Sequence, residues 1–237
     1  MQEYVLLTRS EYENLRLKNK ILSNNNISLI PYTYPIVNLT DISFEFIWDS
    51  LSDYEYAIIT SKFAALVSSQ KIVHPIKVFV VGERSAEILR RNSNIKVLKI
   101  FFCVDELIAY LLPIIDVAKN IQTKKFIYLC GDIISKDISK NINRVIIYKT
   151  SYNHCFSDDL LKKIQEKRIR SILIYSQNTA KAFVDICLKH DVLQYVQEVS
   201  IITLSKKIKN VMKKYFCNIT HCLSPSEKLM IEMLYDK

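Results

Sequence analysis

The chain has 237 residues, 49% of them hydrophobic, with a formal net charge of +9 and only two glycines. That length holds one large or two small domains with a real core. No apolar run of about eighteen residues or more is present to span a membrane, and two glycines cannot supply the loops of dinucleotide or P-loop sites. The charge suits nucleic acid, an anionic surface or a polycarboxylate ligand. The chain is also heavy in Ile, Asn, Lys and Tyr, an AT-rich coding bias that raises lysine by itself, and no basic run is interleaved with aromatics, so no nucleic-acid partner is expected.

The opening residues enter a strand-like run, Tyr4–Thr8, without the order of a signal peptide, and a cytoplasmic location is the default expectation. Ser10 can cap a helix over Tyr12–Leu22, Asn24-Asn25-Asn26 is a turn, and Ile27–Ile30 is a second strand. Pro31 and Tyr34-Pro35 then force an extended path, read as a linker over 31–37. A short helix follows at Phe44–Leu51. Strands are expected at Tyr56–Thr60, Lys77–Val81, Lys96–Ile100 and Phe126–Cys130, with helices at Lys62–Ser69, Arg84–Arg91, Val104–Ala118 and Ile133–Ile142 between and after them. The run 144–150 reads as a return linker. Helix Asp158–Lys167, strand Ile172–Tyr175, helix Thr179–Lys189, strand Ser200–Leu204, helix Lys206–Lys214, strand Asn218–Cys222 and helix Ser226–Leu234 complete the pattern.

A grammar repeats along this order: an apolar run without alternation, a hydroxyl-bearing turn, then a helix. It is clearest in S-I-L-I-Y-S-Q-N-T-A-K-A-F from Ser171, and recurs from Tyr56, Val78 and Ile201. Apolar runs of this kind suit strands buried on both faces of a parallel sheet. Two linkers imply a discontinuous first domain, 1–34 plus 151–237, with a second, 38–145, inserted into it. The expected class is α/β: two flavodoxin-like parallel-sheet domains joined by a two-stranded linker, with ligands at the carboxyl ends of the strands and a large ligand in a cleft between the domains.

Chemistry-bearing motifs are few. There is no G-x-S-x-G and no H-E-x-x-H, and the histidines have no partner at telling spacing. Six scattered cysteines form no C-x-x-C pair and read as free thiols rather than as disulfides or zinc ligands, so no metal is expected. What remains are Ser61, Ser85, Ser176 and Ser205 at helix starts, where hydroxyls cap helices and exposed N–H groups attract anions. Gly82 and Gly131 each follow a strand directly, at a tight turn or a close backbone approach.

Six segments, in order and spacing, resemble the uroporphyrinogen-III synthase family: V-L-L-T-R-S at the start, A-I-I-T-S-K-F-A-A from Ala57, V-V-G-E-R-S-A from Val80, Y-L-C-G-D from Tyr128, V-I-I-Y-K-T from Val145 and I-L-I-Y-S-Q-N-T-A from Ile172. The last strand–turn unit departs from the family, with Thr203-Leu204-Ser205-Lys206 where a glycine and paired threonines are usual, and the proline after the serine of the Ser176 unit is absent. The resemblance implies a cyclising hydro-lyase that needs no cofactor, converts the linear tetrapyrrole hydroxymethylbilane to uroporphyrinogen III through a spiro intermediate, and serves porphyrin and heme biosynthesis. A monomer is expected, because nothing in the sequence suggests an obligate interface. Tyr148 matches the family's linker tyrosine and is the expected proton donor to the departing hydroxyl. Arg9, Ser61, Lys62, Gly82, Ser85, Gly131, Ser176, Gln177, Asn178, Ser205 and Lys206 are the expected substrate-binding positions. Two other classes stand against the enzyme reading: a non-catalytic two-lobed binding protein for an anionic metabolite, and, on charge alone, a nucleic-acid binder, which a steep loss of binding to random DNA with salt would support.

Overall fold

A computed structural model describes residues 2–46, 48–118, 126–138 and 142–235. The chain divides into two compact units, Met1–Asn38 with Ser151–Lys237, and Leu39–Thr150.

The first unit carries β1 (Tyr4–Leu7), α1 (Glu11–Leu22) and β2 (Ile30–Thr33). After the second unit it resumes with α5 (Asp158–Gln165), β9 (Ile169–Ile174), α6 (Gln177–Lys189), α7 (Leu193–Val196), β10 (Ser200–Thr203), α8 (Lys206–Met212), β11 (Ile219–His221) and α9 (Glu227–Glu232). The intervening chain holds β3 (Val37–Asp41), two short 3-10 turns, β4 (Tyr56–Ile59), α2 (Lys62–Lys71), β5 (Ile76–Val81), α3 (Glu83–Leu89), β6 (Ile95–Phe101), α4 (Val104–Ala118), β7 (Phe126–Gly131) and β8 (Asn143–Tyr152).

The first sheet runs β11-β10-β9-β1-β2, with every pair parallel. Renumbered within the unit, this is the order 2-1-3-4-5 of flavodoxin-like sheets. The second runs β3-β8-β7-β4-β5-β6, and the pairs from β8 to β6 are parallel. The order reverses beside β1 in one sheet and beside β4 in the other, which makes both doubly wound. At the edge of the second sheet, Ile42 N–H donates to Ile147 O and Asn153 N–H to Ile36 O. Numbers that rise along one segment fall along the other, so β3 and β8 are antiparallel, the two-stranded linker.

The apolar runs are explained by burial on both faces. In the first sheet Leu6, Ile172, Ile174 and Ile201 pack with α5, α6 and α8, while Val5, Leu7, Leu173 and Ile202 pack with α1 and α9. In the second, Ala57, Ile59, Val78, Val80, Ile127 and Leu129 face α2 and α3, and Ile58, Phe79, Phe101 and Tyr128 face α4. Every residue of such a strand meets a helix layer, so alternation vanishes.

Two elements, β3 (Val37–Asp41) and α7 (Leu193–Val196), were not expected as elements, and three expected ones differ from the sequence reading. The second strand is Ile30–Thr33 rather than Ile27–Ile30, and so contains Pro31. It is an edge strand in which Ile30 and Tyr34 turn their N–H groups inward, to Glu3 O and Leu7 O, so the intervening Pro31 nitrogen faces away from the ladder. The helix expected at Ile133–Ile142 is absent over 133–138, which runs as bends, and 139–141 lie outside the described residues. Its apolar spacing reflects Ile138 and Ile142 dropping into the core below β7. The helix expected over Phe44–Leu51 is two 3-10 turns, Ser43–Glu45 and Trp48–Asp53.

Candidate functional site

Parallel strands present all their carboxyl ends on one edge, and the sequence places its polar turns there. In the second unit Thr60-Ser61-Lys62 leaves β4, Gly82 leaves β5, and Gly131-Asp132 closes β7. Ser61 caps α2, accepting from the Ala64 N–H at 3.1 Å. Lys62 is the first residue of α2 and half-buried. Gly82 has φ 84°, a conformation that side chains resist, and leads into α3. Ser85 is not the cap of that helix: it is buried within it, with its N–H donated to Gly82 O.

The second sheet order brings β4, β7 and β8 side by side, and Tyr148 of β8 is the register partner of Gly131. A Cβ at Gly131 would lie 2.7 Å from the Tyr148 hydroxyl and closer still to its ring, so only glycine leaves room for the phenol. The Tyr148 hydroxyl donates to Ser61 Oγ at 3.1 Å, and Phe63 meets its ring edge-on at 5.1 Å between centroids. Burial raises the Tyr148 pKa, against the lowering effect of the Ser61 hydrogen bond. At neutral pH the group is therefore a phenol, able to donate. Beside it the hydroxyls of Tyr128 and Thr60 share a hydrogen bond of 2.7 Å. Burial raises the Tyr128 pKa as well, although Thr60 works against it.

The first unit repeats the arrangement at the ends of β1, β9 and β10. Ser176 caps α6 through the Thr179 N–H at 3.0 Å and also meets the Thr179 hydroxyl at 2.8 Å. Gln177 and Asn178 are exposed in the first turn. Asn178, Lys181 and His154 line a hollow of about 560 Å³ along α6. Ser205 stands at the cap position of α8 without a side-chain cap bond, and Lys206 begins that helix, exposed. Arg9 is drawn into an ion cluster: it pairs with Glu13 at 3.1 Å and Glu227 at 3.2 Å, and its guanidinium lies 4.5 Å from the Tyr175 ring centroid.

Other residues that shape these rims went unassigned in the sequence. Asn14 holds the loop after β1, accepting from the Arg9 N–H and donating to Leu7 O and Arg9 O. Arg144 and Asp132 brace the turn after β7. Asp132 ends the Y-L-C-G-D segment, and Thr60 opens a hydroxyl turn, which are usable signals. Nothing local marks Arg144, because its partners lie on the neighbouring strand; Asn14 bonds only five to seven residues back, at Leu7 and Arg9, but an asparagine inside a helical pattern carries no signal of that role.

All six cysteines are free, three buried and three exposed. Among the described residues no group of three or more His, Cys, Asp or Glu is placed to hold a metal ion, and no helix is long and apolar enough to cross a membrane.

Comparison with known proteins gives a consistent answer. The profile of the family described as uroporphyrinogen-III synthase HemD matches residues 26–230. An uncharacterized protein of Rickettsia prowazekii (strain Madrid E) is 25% identical, covering 98% of this chain and 97% of its own. The crystal structure of uroporphyrinogen-III synthetase from Helicobacter pylori 26695 superposes with a TM-score of 0.59 at 13% identity, covering 98% of each chain. A mutant uroporphyrinogen III synthase from the extremely thermophilic bacterium Thermus thermophilus superposes with a TM-score of 0.53 at 7% identity, covering 98% of this chain and 96% of that one. These two likenesses establish the shared two-domain α/β fold. With the profile match spanning most of the sequence, the chain belongs to the uroporphyrinogen-III synthase family.

Proposed function

We propose that the protein is a uroporphyrinogen-III synthase, a hydro-lyase that cyclises hydroxymethylbilane with inversion of its last ring. The observation that carries the reading is the buried Tyr148 phenol, seated over Gly131 and donating to Ser61 at the carboxyl edge of a parallel sheet. There it is poised to give its hydrogen bond, and then its proton, to the hydroxyl that leaves the substrate. Breaking that C–O bond yields an azafulvene cation equivalent. The substituted carbon of the last ring attacks it to form the spiro intermediate, which reopens and recloses inverted, so that the net loss is one water. The protein's larger task is to hold a flexible chain with its ends together, a contribution worth up to about 7–11 kcal/mol in well-oriented cases.

The helix starts at Ser61, Gly82, Ser176 and Ser205 supply N–H groups for substrate carboxylates, and Lys62, Gln177, Asn178 and Lys206 supply side-chain donors beside them. Ser85 lies too deep to touch substrate and supports the Gly82 turn, while Arg9 serves mainly to hold the first-unit rim together. The proposed domains are 1–34 with 151–237, and 38–145, and the reaction needs no metal or cofactor.

Incubation with hydroxymethylbilane, followed by separation of the type I and type III products, tests the reading. Type III above the uncatalysed blank is expected. Type I alone would end the synthase proposal and leave a two-lobed binding protein for an anionic metabolite.

A further inference from the structure

The strongest unassigned cluster lies beside Tyr148 and centres on Arg144. Between Cys130 and Gly131 the pairing of β7 with β8 slips by one residue, from Cys130↔Ile146 to Gly131↔Tyr148. A slip of this kind interrupts the ladder and re-aims a side chain. Here it turns Gly131 toward the phenol. The backbone at the slip is held by a side chain: Arg144 Nη2 donates to Gly131 O at 3.1 Å and to Asp132 O at 3.0 Å, and Nε points to Cys130 Sγ at 3.2 Å. The other side of the turn is tied to the strand that carries the tyrosine. Asp132 N–H donates to Tyr148 O at 3.1 Å, and Asp132 Oδ1 accepts from the N–H groups of Thr150 and Ile133, both at 2.9 Å.

From this geometry we infer that Arg144, acting with Asp132, is a positioning residue that clamps the Gly131 turn against β8 and so fixes the Tyr148 phenol on Ser61. The inference rests on the synthase reading for its link to turnover, but the clamp itself can be measured without it. An exposed arginine beside this turn could instead take a substrate carboxylate directly. The two roles separate in kinetics, since a positioning loss falls on kcat and a lost substrate contact falls on KM.

The test labels the protein with 3-fluorotyrosine and assigns the Tyr148 fluorine resonance by its loss in Tyr148→Phe. Gly131→Ala, whose new Cβ displaces the ring, marks the resonance of a dislodged phenol. Arg144→Met is expected to move the resonance toward that position and to lower kcat about tenfold or more with KM little changed, since small misplacements are costly to a reacting geometry. Arg144→Lys, which retains a donor for the carbonyls, is expected to restore both in part. Should Arg144→Met fail to fold, Asp132→Ala carries the same comparison. A resonance that stays at its wild-type position in the folded variant overturns the clamp, as does a raised KM with unchanged kcat. The resonance is read whether or not the wild-type protein turns over hydroxymethylbilane, so failure of the clamp and failure of the synthase reading are told apart.

Discussion

At the scale of single residues the two glycines and one tyrosine matter most. Tyr148→Phe keeps the ring that fills the space over Gly131 and removes only the hydroxyl. It is expected to lower kcat by roughly 10²-fold, the low end for a positioned acid, while thermal unfolding shifts little. An unchanged rate would remove Tyr148 from the chemistry. Its raised pKa keeps the phenol protonated across the neutral range, so this group should cause no alkaline loss of rate below about pH 10. Gly82→Ala meets no atom closer than Ser85 Oγ at 4.0 Å, so its cost is conformational alone. About 1–3 kcal/mol is expected from forcing a side chain into that backbone region, readable by denaturant titration. These residues were visible in the sequence as rarities beside strands. What they touch was not, because the Gly131–Tyr148 contact joins positions seventeen apart through a slip in register that no local pattern encodes.

At the scale of elements, α9 returns to α1 through a compact ion cluster that completes the discontinuous first unit. Glu227 accepts from Arg16 Nη1 at 2.9 Å and Lys20 Nζ at 2.8 Å, and pairs with Arg9. Burial raises its pKa, but the hydrogen bonds and charges of Arg16 and Lys20 together outweigh burial and leave it well below the usual carboxylate range. A depressed folded pKa means stability that is present above the unfolded carboxylate value, about 4.3, and lost as pH falls through the folded one. Glu227→Gln should therefore destabilise the protein at neutral pH by roughly 1–3 kcal/mol and flatten the decline in stability below about pH 4. Denaturant midpoints for both proteins across that range check it, and equal slopes would remove Glu227 from the acid response. Ser226 caps the same helix at the Leu229 N–H, and Ser226→Ala should cost about 1 kcal/mol by the same assay. The caps were legible as hydroxyls before helical spacing. The cluster was not, because Arg16 and Glu227 lie at opposite ends of the chain. The second strand differs from its sequence reading for a related reason: Pro31 reads as a breaker unless the strand is known to lie at a sheet edge.

At the scale of the whole molecule, a ligand that binds the folded protein alone raises its stability by mass action, by about 2.7 kcal/mol at a hundred times its Kd. A uroporphyrinogen III titration followed by thermal unfolding should show that rise, and a chelator should leave both the midpoint and turnover unchanged. Loss of turnover on chelation would contradict the metal-free reading. The sequence by itself determined the class of the fold, since unalternated apolar runs followed by capped helices pack as parallel sheets covered on both faces. It also determined that the chain leaves one sheet and returns to it, since two extended stretches flank a complete set of strands and helices. Only the tertiary structure decided the strand orders, the seat of Tyr148 against Gly131 and Ser61, the burial of Ser85 and the capture of Arg9 by acids. The reason is physical: periodicity and capping act over a few residues, whereas register, burial and charge pairing depend on which distant segments the folded sheets bring side by side.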